Sequence, residues 1–206
     1  QNQSKMSFNL VDASYGKAQI RVAKTIRLSD KHVFKEFTVA VLLKGPKLEE
    51  TYLTGNNRYV IPTDTIKNTT YVVASKHSLE SPESFAESLA QHFFSKYSHV
   101  EGVSIDVQGH HWERMNIDGK PHPHAFLRGG PETRLMEFSQ QRGRTPTIIG
   151  GFTGLAVLKT CGSAFKDFHR CELTTLPDAA DRLLATSVTA KYEFNGAVGK
   201  RTNAND

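Results

Sequence analysis

The chain has 206 residues, of which 38% are hydrophobic and 23% are charged, and its mean hydropathy is -0.44. This composition allows a packed core in one large domain or slightly more, and no apolar run approaches the ~20 residues that span a bilayer. The net charge of +5 attracts anions, but the basic residues are spread along the chain in small clusters such as Arg142 with Arg144. We therefore expect neither a membrane protein nor a nucleic-acid-binding surface.

The two cysteines, Cys161 and Cys171, are too few for a disulfide framework or a four-cysteine metal site. Neither lies in a recognisable nucleophile motif. We interpret both as packing residues in a reducing compartment.

The N-terminal part predicts a flexible arm followed by two strands. We assign the arm to residues 1–14. Apolar and polar residues then alternate over Ala18–Ile26 and again over His32–Leu43, as they do in half-buried strands. The turn formers Ser29-Asp30-Lys31 separate the two runs. This pattern predicts an antiparallel pair.

The period then changes to that of helices. We predict a first helix with Thr63 as its N-cap and Asp64 in its first turn. A second helix begins at Ser81-Pro82-Glu83, which supplies a cap, a proline at the first helical position and an early acid. Apolar residues four apart form one stripe on it: Phe85, Leu89, Phe93 and Tyr97.

Strand patterns return at Val103–Gln108, His124–Leu127 and Thr133–Phe138. Helices segregated onto an antiparallel sheet indicate an α+β fold. We assign this first domain to residues 15–145.

The turn formers of Gly143–Gly151 predict a boundary. Beyond it, Leu155–Leu158 and Val188–Phe194 predict the opening strands of a second unit, assigned to residues 146–195. Two strands without helices cannot bury their apolar face alone, so we expect either another chain on it or an incomplete molecule. The polar residues 196–206 predict a disordered tail.

Four blocks of sequence, in order, carry a family resemblance. They are YGK at 15–17, TDTIKNT at 63–69, DGKPHPH at 118–124 and LAVLKTCGSAFKDFHRCELTTLPDAADR at 155–182. Together they resemble the urate oxidases (uricases). The chain departs from the usual family pattern at Cys161 and Leu173.

The resemblance implies a tunnelling fold, in which each domain is an antiparallel sheet with two helices. The chain would hold one complete domain and the start of a second. Sheets of several subunits would close a barrel, and two barrels would stack into a homotetramer. The implied reaction oxidises urate with O2 and water to 5-hydroxyisourate and H2O2 in purine catabolism, without metal or other cofactor.

The resemblance also implies a peroxisomal location. The chain ends Ala204-Asn205-Asp206 and does not carry a C-terminal address such as Ser-Lys-Leu.

Two residues of the last block match family positions that hold the substrate. Phe165 matches the residue that stacks on the purine ring, and Arg182 matches the residue whose guanidinium forks onto a urate oxygen and a ring nitrogen. The residues alone leave other interpretations open. Phe165 is also predicted as a core residue beside Phe168, and Arg182 as a solvated partner of Asp178 on a helix.

Two further residues match the catalytic dyad of the family. Thr63 and Lys17 would relay a proton from urate, and the backbone N–H of Asp64 would be an additional substrate donor. The predicted helix N-terminus at Thr63 independently favours an anion. The alternatives are a simple cap for Thr63 and an exposed strand residue for Lys17. In the family the dyad faces the residues matching Phe165 and Arg182 across a subunit interface, so one site needs two chains.

The family also uses a glutamine, an asparagine and a histidine that lie beyond the C-terminus of this chain. His122 and His124 alternate on a predicted strand and could bind a metal. A third ligand with suitable spacing is absent from the sequence, and we interpret the pair as structural.

Two alternative functions stay open. A truncated, inactive relative would bind purines or associate only with full-length subunits. A basic nucleic-acid module would form a salt-dependent complex, but the sequence does not interleave aromatic and basic residues as such modules do.

Overall fold

The computed structural model describes residues 10–194, so the predicted tail and most of the predicted arm lie outside the described residues. In these residues, six strands form one antiparallel sheet in sequence order. The α+β antiparallel fold expected from the sequence is confirmed. The elements are β1 (Tyr15–Arg27), β2 (His32–Lys44), α1 (Glu50–Thr54), α2 (Thr63–Lys76), α3 (Pro82–Lys96), β3 (Gly102–Ile117), β4 (Lys120–Gln141), β5 (Thr147–Phe165) and β6 (Ala179–Glu193), with a 3-10 turn at Pro46–Leu48.

The core lies between the sheet and helices α2 and α3. Alternate residues of β2 from Phe37 to Leu43 are buried against the helices, and the predicted stripe of α3 packs on them. The intervening residues of β2, Thr38, Ala40 and Leu42, lie on the opposite face of the sheet, as the pleat of a strand requires. Burial of the Phe and Leu side chains contributes roughly 1.5–3 kcal/mol each to folding. No helix in residues 10–194 is long and apolar enough to cross a bilayer.

The starts of α2 and α3 were predicted to within one residue, whereas α1 and the 3-10 turn were not predicted. Ser81 caps α3 as expected, because its hydroxyl accepts a hydrogen bond from the Ser84 N–H at 3.1 Å. The assignment of Thr63 as an N-cap was wrong. Pro62 is the N-cap of α2, with an extended ψ of 140°, and Thr63 is the first helical residue. The chain enters the helix directly after the proline, whose ring already fixes φ near the helical value.

The two strands predicted at His124–Leu127 and Thr133–Phe138 are parts of the single strand β4. Residues 129–131, which separate the two predicted strands, lie within this long strand, and the pairing with β3 shifts register there. The tip of the β3–β4 hairpin is Asp118-Gly119, both with positive φ, which is the backbone that a two-residue hairpin turn requires.

Strands β5 and β6 continue the same sheet, because β4 pairs with β5 and β5 with β6. β5 begins at Thr147, inside the stretch Gly143–Gly151 whose turn formers predicted a boundary. Apolar side chains of this hairpin lie on the surface, with Leu158 66% exposed and Leu183 61% exposed. Helices α2 and α3 contact mainly β1, β3 and β4, and Ile148 at the start of β5 also belongs to the buried core.

The interpretation of the cysteines as packing residues was wrong. Cys161 and Cys171 are both exposed free thiols. Cys161 lies on β5 and Cys171 in the connection to β6, where no second layer covers the sheet. A hydrogen bond from the Thr174 hydroxyl lowers the pKa of the Cys171 thiol.

Candidate active site

The first group of candidate residues lies where β1 runs beside the start of α2. Lys17 pairs with Val41 across β1–β2, and Ile20 pairs with Val39. Between these two pairs β1 therefore has one residue more than β2. Gln19, in this bulge, takes a positive φ of 57°. Such a bulge reverses the alternation of a strand. Lys17 and Ile20 consequently share the face that α2 and α3 cover, although three positions separate them.

The start of α2 presents free backbone donors. Its first intrahelical hydrogen bond runs from the Ile66 N–H to the Pro62 carbonyl at 3.1 Å, and no side chain caps the helix. The N–H groups of residues 63–65 therefore make no hydrogen bond within the helix, and they lie at the positive end of the helix dipole. Thr63 and Asp64 are both exposed. The Asp64 carboxylate accepts a hydrogen bond from Lys67 at 2.6 Å, which lowers the pKa of Asp64.

Lys17 and Thr63 lie on adjacent elements that a hydrogen bond links. The Ile61 N–H donates to the Tyr15 hydroxyl at 2.6 Å. Ile61 lies two residues before Thr63, and Tyr15 lies two residues before Lys17. The Lys17 ammonium donates to the Ala18 carbonyl at 3.0 Å. Among residues 10–194, no hydrogen bond joins Lys17 directly to Thr63. The structure thus aligns the strand and the helix that carry them.

The second group lies at the far end of the β5–β6 hairpin. The rings of Phe165 and Phe168 stack with centroids 4.8 Å apart and an interplanar angle of 9°. The Arg182 guanidinium carbon lies 6.0 Å from the centroid of the Phe165 ring. Phe165 is 48% exposed, so its interpretation as a core residue was wrong, although its contact with Phe168 was anticipated.

Two bulges, one in β5 and one in β6, bring these two side chains together. The register shifts between Lys159 and Ser163 and again before Phe165. Gly162 has a positive φ of 69° in the first bulge, which favours glycine. The Lys159 ammonium donates to the Gly162 carbonyl at 2.7 Å, and the Asp181 carboxylate accepts from the Gly162 N–H. Both the N–H and the carbonyl of Gly162 are therefore hydrogen-bonded, which fixes the backbone of the bulge.

The alternative interpretation of Arg182 was wrong. Arg182 lies on strand β6 opposite Ser163, not on a helix with Asp178. Asp178 instead pairs with Arg170 at 2.8 Å. The guanidinium of Arg182 makes no ion pair among the described residues.

The two groups do not meet within one chain. β1 and β6 are the opposite edges of the six-stranded sheet. With strands about 4.8 Å apart, the edges are separated by on the order of 24 Å, several times the width of a purine. Among residues 10–194, no hydrogen bond, ion pair or ring contact joins Lys17 or Thr63 to Phe165 or Arg182.

The family model described as Uricase matches residues 13–139 and 148–205. The chain belongs to the uricase family. It is 40% identical over 183 residues to the uricase of Schizosaccharomyces pombe, covering 88% of this chain and 62% of that protein. It is 39% identical over 189 residues to the uricase of Aspergillus flavus, covering 91% of this chain and 62% of that protein.

The fold of this uricase-family chain also matches solved structures. The crystal structure of uricase from Arthrobacter globiformis superposes with a TM-score of 0.83 at 34% identity, covering 95% of this chain and 66% of that one. The family and fold inferred from the four sequence blocks are therefore confirmed. The chain spans less than two thirds of the length of the curated uricases named above.

The histidines of the DGKPHPH block form a ring contact near the tip of the β3–β4 hairpin. The His122 and His124 rings are 4.5 Å apart in an edge-on arrangement, and His32 lies 5.8 Å from His124. Within residues 10–194, no group of three or more His, Cys, Asp or Glu side chains is arranged to hold a metal ion.

Sequence reasoning missed a polar network on the face of the sheet opposite the helices. Glu36 is 8% exposed and accepts hydrogen bonds from Arg21 and Trp112, each at 2.7 Å, and from Arg128 at 3.0 Å. Burial raises the pKa of Glu36, but the hydrogen bonds from Trp112 and Arg21 outweigh it and the pKa is lowered. A glutamate within the alternating apolar strand β2 was the available signal.

A cavity of about 280 Å³ lies beside the start of α3, lined by Phe37, Arg134 and Phe152 among others. None of the five candidate residues lines it. The candidates lie on open surfaces, as expected for a site completed by a second chain.

Proposed function

We propose that this chain supplies substrate-binding and catalytic side chains of a urate oxidase, which converts urate, O2 and water to 5-hydroxyisourate and H2O2. One observation carries the proposal. A flat, half-exposed aromatic ring and a guanidinium without a carboxylate partner in the described residues lie together at Phe165 and Arg182. The family membership of the chain supports it.

The substrate-binding role of this pair follows from the chemistry of urate, a flat purine anion. The exposed part of the Phe165 ring offers a surface for offset stacking, while Phe168 supports the ring on one side. The Arg182 guanidinium offers a planar fork for a carbonyl oxygen and an adjacent ring nitrogen. Together they would fix both the plane of the purine and its orientation in that plane.

We assign proton transfer to Thr63 and Lys17. The free N–H groups at the start of α2, including that of Asp64, would bind the substrate edge and stabilise negative charge there. The Thr63 hydroxyl would pass a proton from urate to the Lys17 amine, which is a general-base step. The resulting dianion has the electron density needed to reduce O2, so the proposal requires no resident metal or flavin.

We further propose that the active form is a homo-oligomer, a tetramer by resemblance. Within one chain the dyad and the urate clamp lie at opposite edges of the sheet, on β1 and β6. A second copy that placed its β1 edge beside β6 would bring Lys17 and Thr63 to Phe165 and Arg182. Such an assembly would also cover apolar side chains of the β5–β6 hairpin.

The decisive experiment is a urate assay on two proteins. The first is this chain alone, and the second is this chain fused to the C-terminal part of the S. pombe uricase that it does not match. We expect O2-dependent loss of urate absorbance, with one H2O2 formed for each urate consumed. This activity should persist in the presence of a metal chelator. Binding of a urate analogue without turnover by either protein would replace the proposal with an inactive purine-binding relative. Absence of both binding and turnover would overturn it.

A further inference from the structure

Helix α2 is fastened to strand β1 at both of its ends. Before its first residue, the Ile61 N–H donates to the Tyr15 hydroxyl at 2.6 Å. At its C-terminal end, the Lys24 ammonium donates to the carbonyls of Ala74, Ser75 and His77 at 3.1, 3.0 and 2.6 Å. Lys17 lies on β1 between these two attachments.

The attachment at Tyr15 joins the segments that carry the two members of the proposed dyad. Tyr15 precedes Lys17 by two residues, and Ile61 precedes Thr63 by two residues. Ile61 is buried in the core, and Tyr15 packs against the same core. A shift of Tyr15 relative to Ile61 would therefore change the separation of Lys17 and Thr63 almost directly.

The backbone between Tyr15 and Lys17 has little freedom to compensate. A Cβ atom added at Gly16 would lie 1.8 Å from the Val41 carbonyl oxygen, so β1 presses directly on the backbone of β2 at this point. The bulge at Gln19 then fixes the face on which Lys17 lies. Burial raises the pKa of the Tyr15 phenol, so the group that accepts from the Ile61 N–H is a neutral hydroxyl.

We propose that Tyr15 is a positioning residue, which sets the distance between Lys17 and Thr63 by holding the entry to α2 against β1. The inference rests on the proposed function and deepens it. Tyr15 acts through the Ile61 backbone and not on the substrate. A displacement of about 1 Å between catalytic groups is enough to reduce a rate by about 100-fold.

The attachment at Lys24 provides a matched control in the same helix and strand. It holds the C-terminal end of α2, which is roughly 20 Å from Thr63 at 1.5 Å of rise per residue. Loss of this attachment should reduce stability without changing the geometry at the start of the helix.

The test compares Tyr15→Phe with Lys24→Met in the form of the protein that turns over urate. In Tyr15→Phe, we expect about five-fold faster hydrogen exchange of the Ile61 amide, which corresponds to loss of one hydrogen bond. We also expect kcat to fall about 10-fold or more with KM nearly unchanged, and the pH profile of kcat to shift. In Lys24→Met, we expect a lower Tm with kcat, its pH profile and the exchange of Ile61 unchanged.

The outcomes separate the inference from the proposed function. If the unaltered protein does not oxidise urate, the proposed function fails and takes the inference with it. If the unaltered protein is active and Tyr15→Phe keeps its kcat and pH profile, only the inference is overturned. Equal losses of kcat in the two variants would mean that Tyr15 merely stabilises the fold, which also overturns it.

Discussion

Arg182 lies across the β5–β6 ladder from Ser163, and a bulge on each side of Ser163 brings the Arg182 guanidinium to 6.0 Å from the ring of Phe165. Regular pairing would place side chains in fixed rows along the two strands. The bulges depart from that pattern, and bulges of this kind frequently re-aim side chains beside active sites. We therefore expect the contact between Arg182 and Phe165 to matter directly for substrate binding.

Replacement of Arg182 by lysine should weaken urate binding strongly. Lysine keeps the positive charge but cannot donate two parallel hydrogen bonds from one plane. We expect KM to rise about 10- to 100-fold, the equivalent of about 1.5–3 kcal/mol for a hydrogen bond to a charged group. The measurement is steady-state urate oxidation. Arg27→Lys, at the exposed end of β1, is the control and should keep the original KM.

Variants of the two groups should complement each other if one site takes residues from two chains. Lys17→Met and Arg182→Gln should each be inactive alone, with Lys17→Met still binding a urate analogue. When the two variants are co-expressed, random assembly leaves about a quarter of the sites with an intact dyad and an intact clamp, as expected for a shared interface. Mixed oligomers with no recovered activity would show that each chain builds its own site.

Replacement of Gly16 by alanine should destabilise the start of β1. The added Cβ would meet the Val41 carbonyl oxygen at 1.8 Å, so β1 has to move away from β2. We expect a loss of about 1–3 kcal/mol in the free energy of unfolding, as for other overpacked sites. Gly109→Ala is the matched control, because its Cβ would meet the nearest atom, the Arg134 Cβ, at an ordinary 3.5 Å. Equal stability of the two variants in chemical denaturation would contradict the clash.

Replacement of Glu36 by glutamine should lower stability near neutral pH. Glutamine cannot satisfy the guanidinium groups of Arg21 and Arg128 as a carboxylate does, and we expect a loss of about 1–3 kcal/mol.

The effect should depend on pH with a definite sign. The pKa of Glu36 is lowered from its ordinary value of 4.5, so its stabilisation is complete above that value and is lost as pH falls through the lower folded pKa. Unfolding curves from neutral to acid pH should therefore converge for the two proteins. A difference that grew in acid would mean that the carboxylate is not the stabilising form.

Much of the architecture could be predicted because it depends on local patterns. The alternation in β2 predicted which face is buried, and the sequence Ser81-Pro82-Glu83 predicted the start of α3 to the residue. The errors arose where local signals compete. The sequence predicted two separate strands within β4, but pairing with β3 on both sides of residues 129–131 keeps the strand continuous.

The sequence by itself determined the family of this chain, its α+β fold and the residues that match the family's site. Those properties depend on residue type, order and spacing. The tertiary structure decided which residues meet: that Phe165 stacks on Phe168, that Asp178 pairs with Arg170 and not Arg182, and that Tyr15 holds the entry to α2. It also placed Lys17 and Arg182 at opposite edges of one sheet. Such contacts join residues far apart in sequence, and they are set by strand register and bulges that no local pattern specifies.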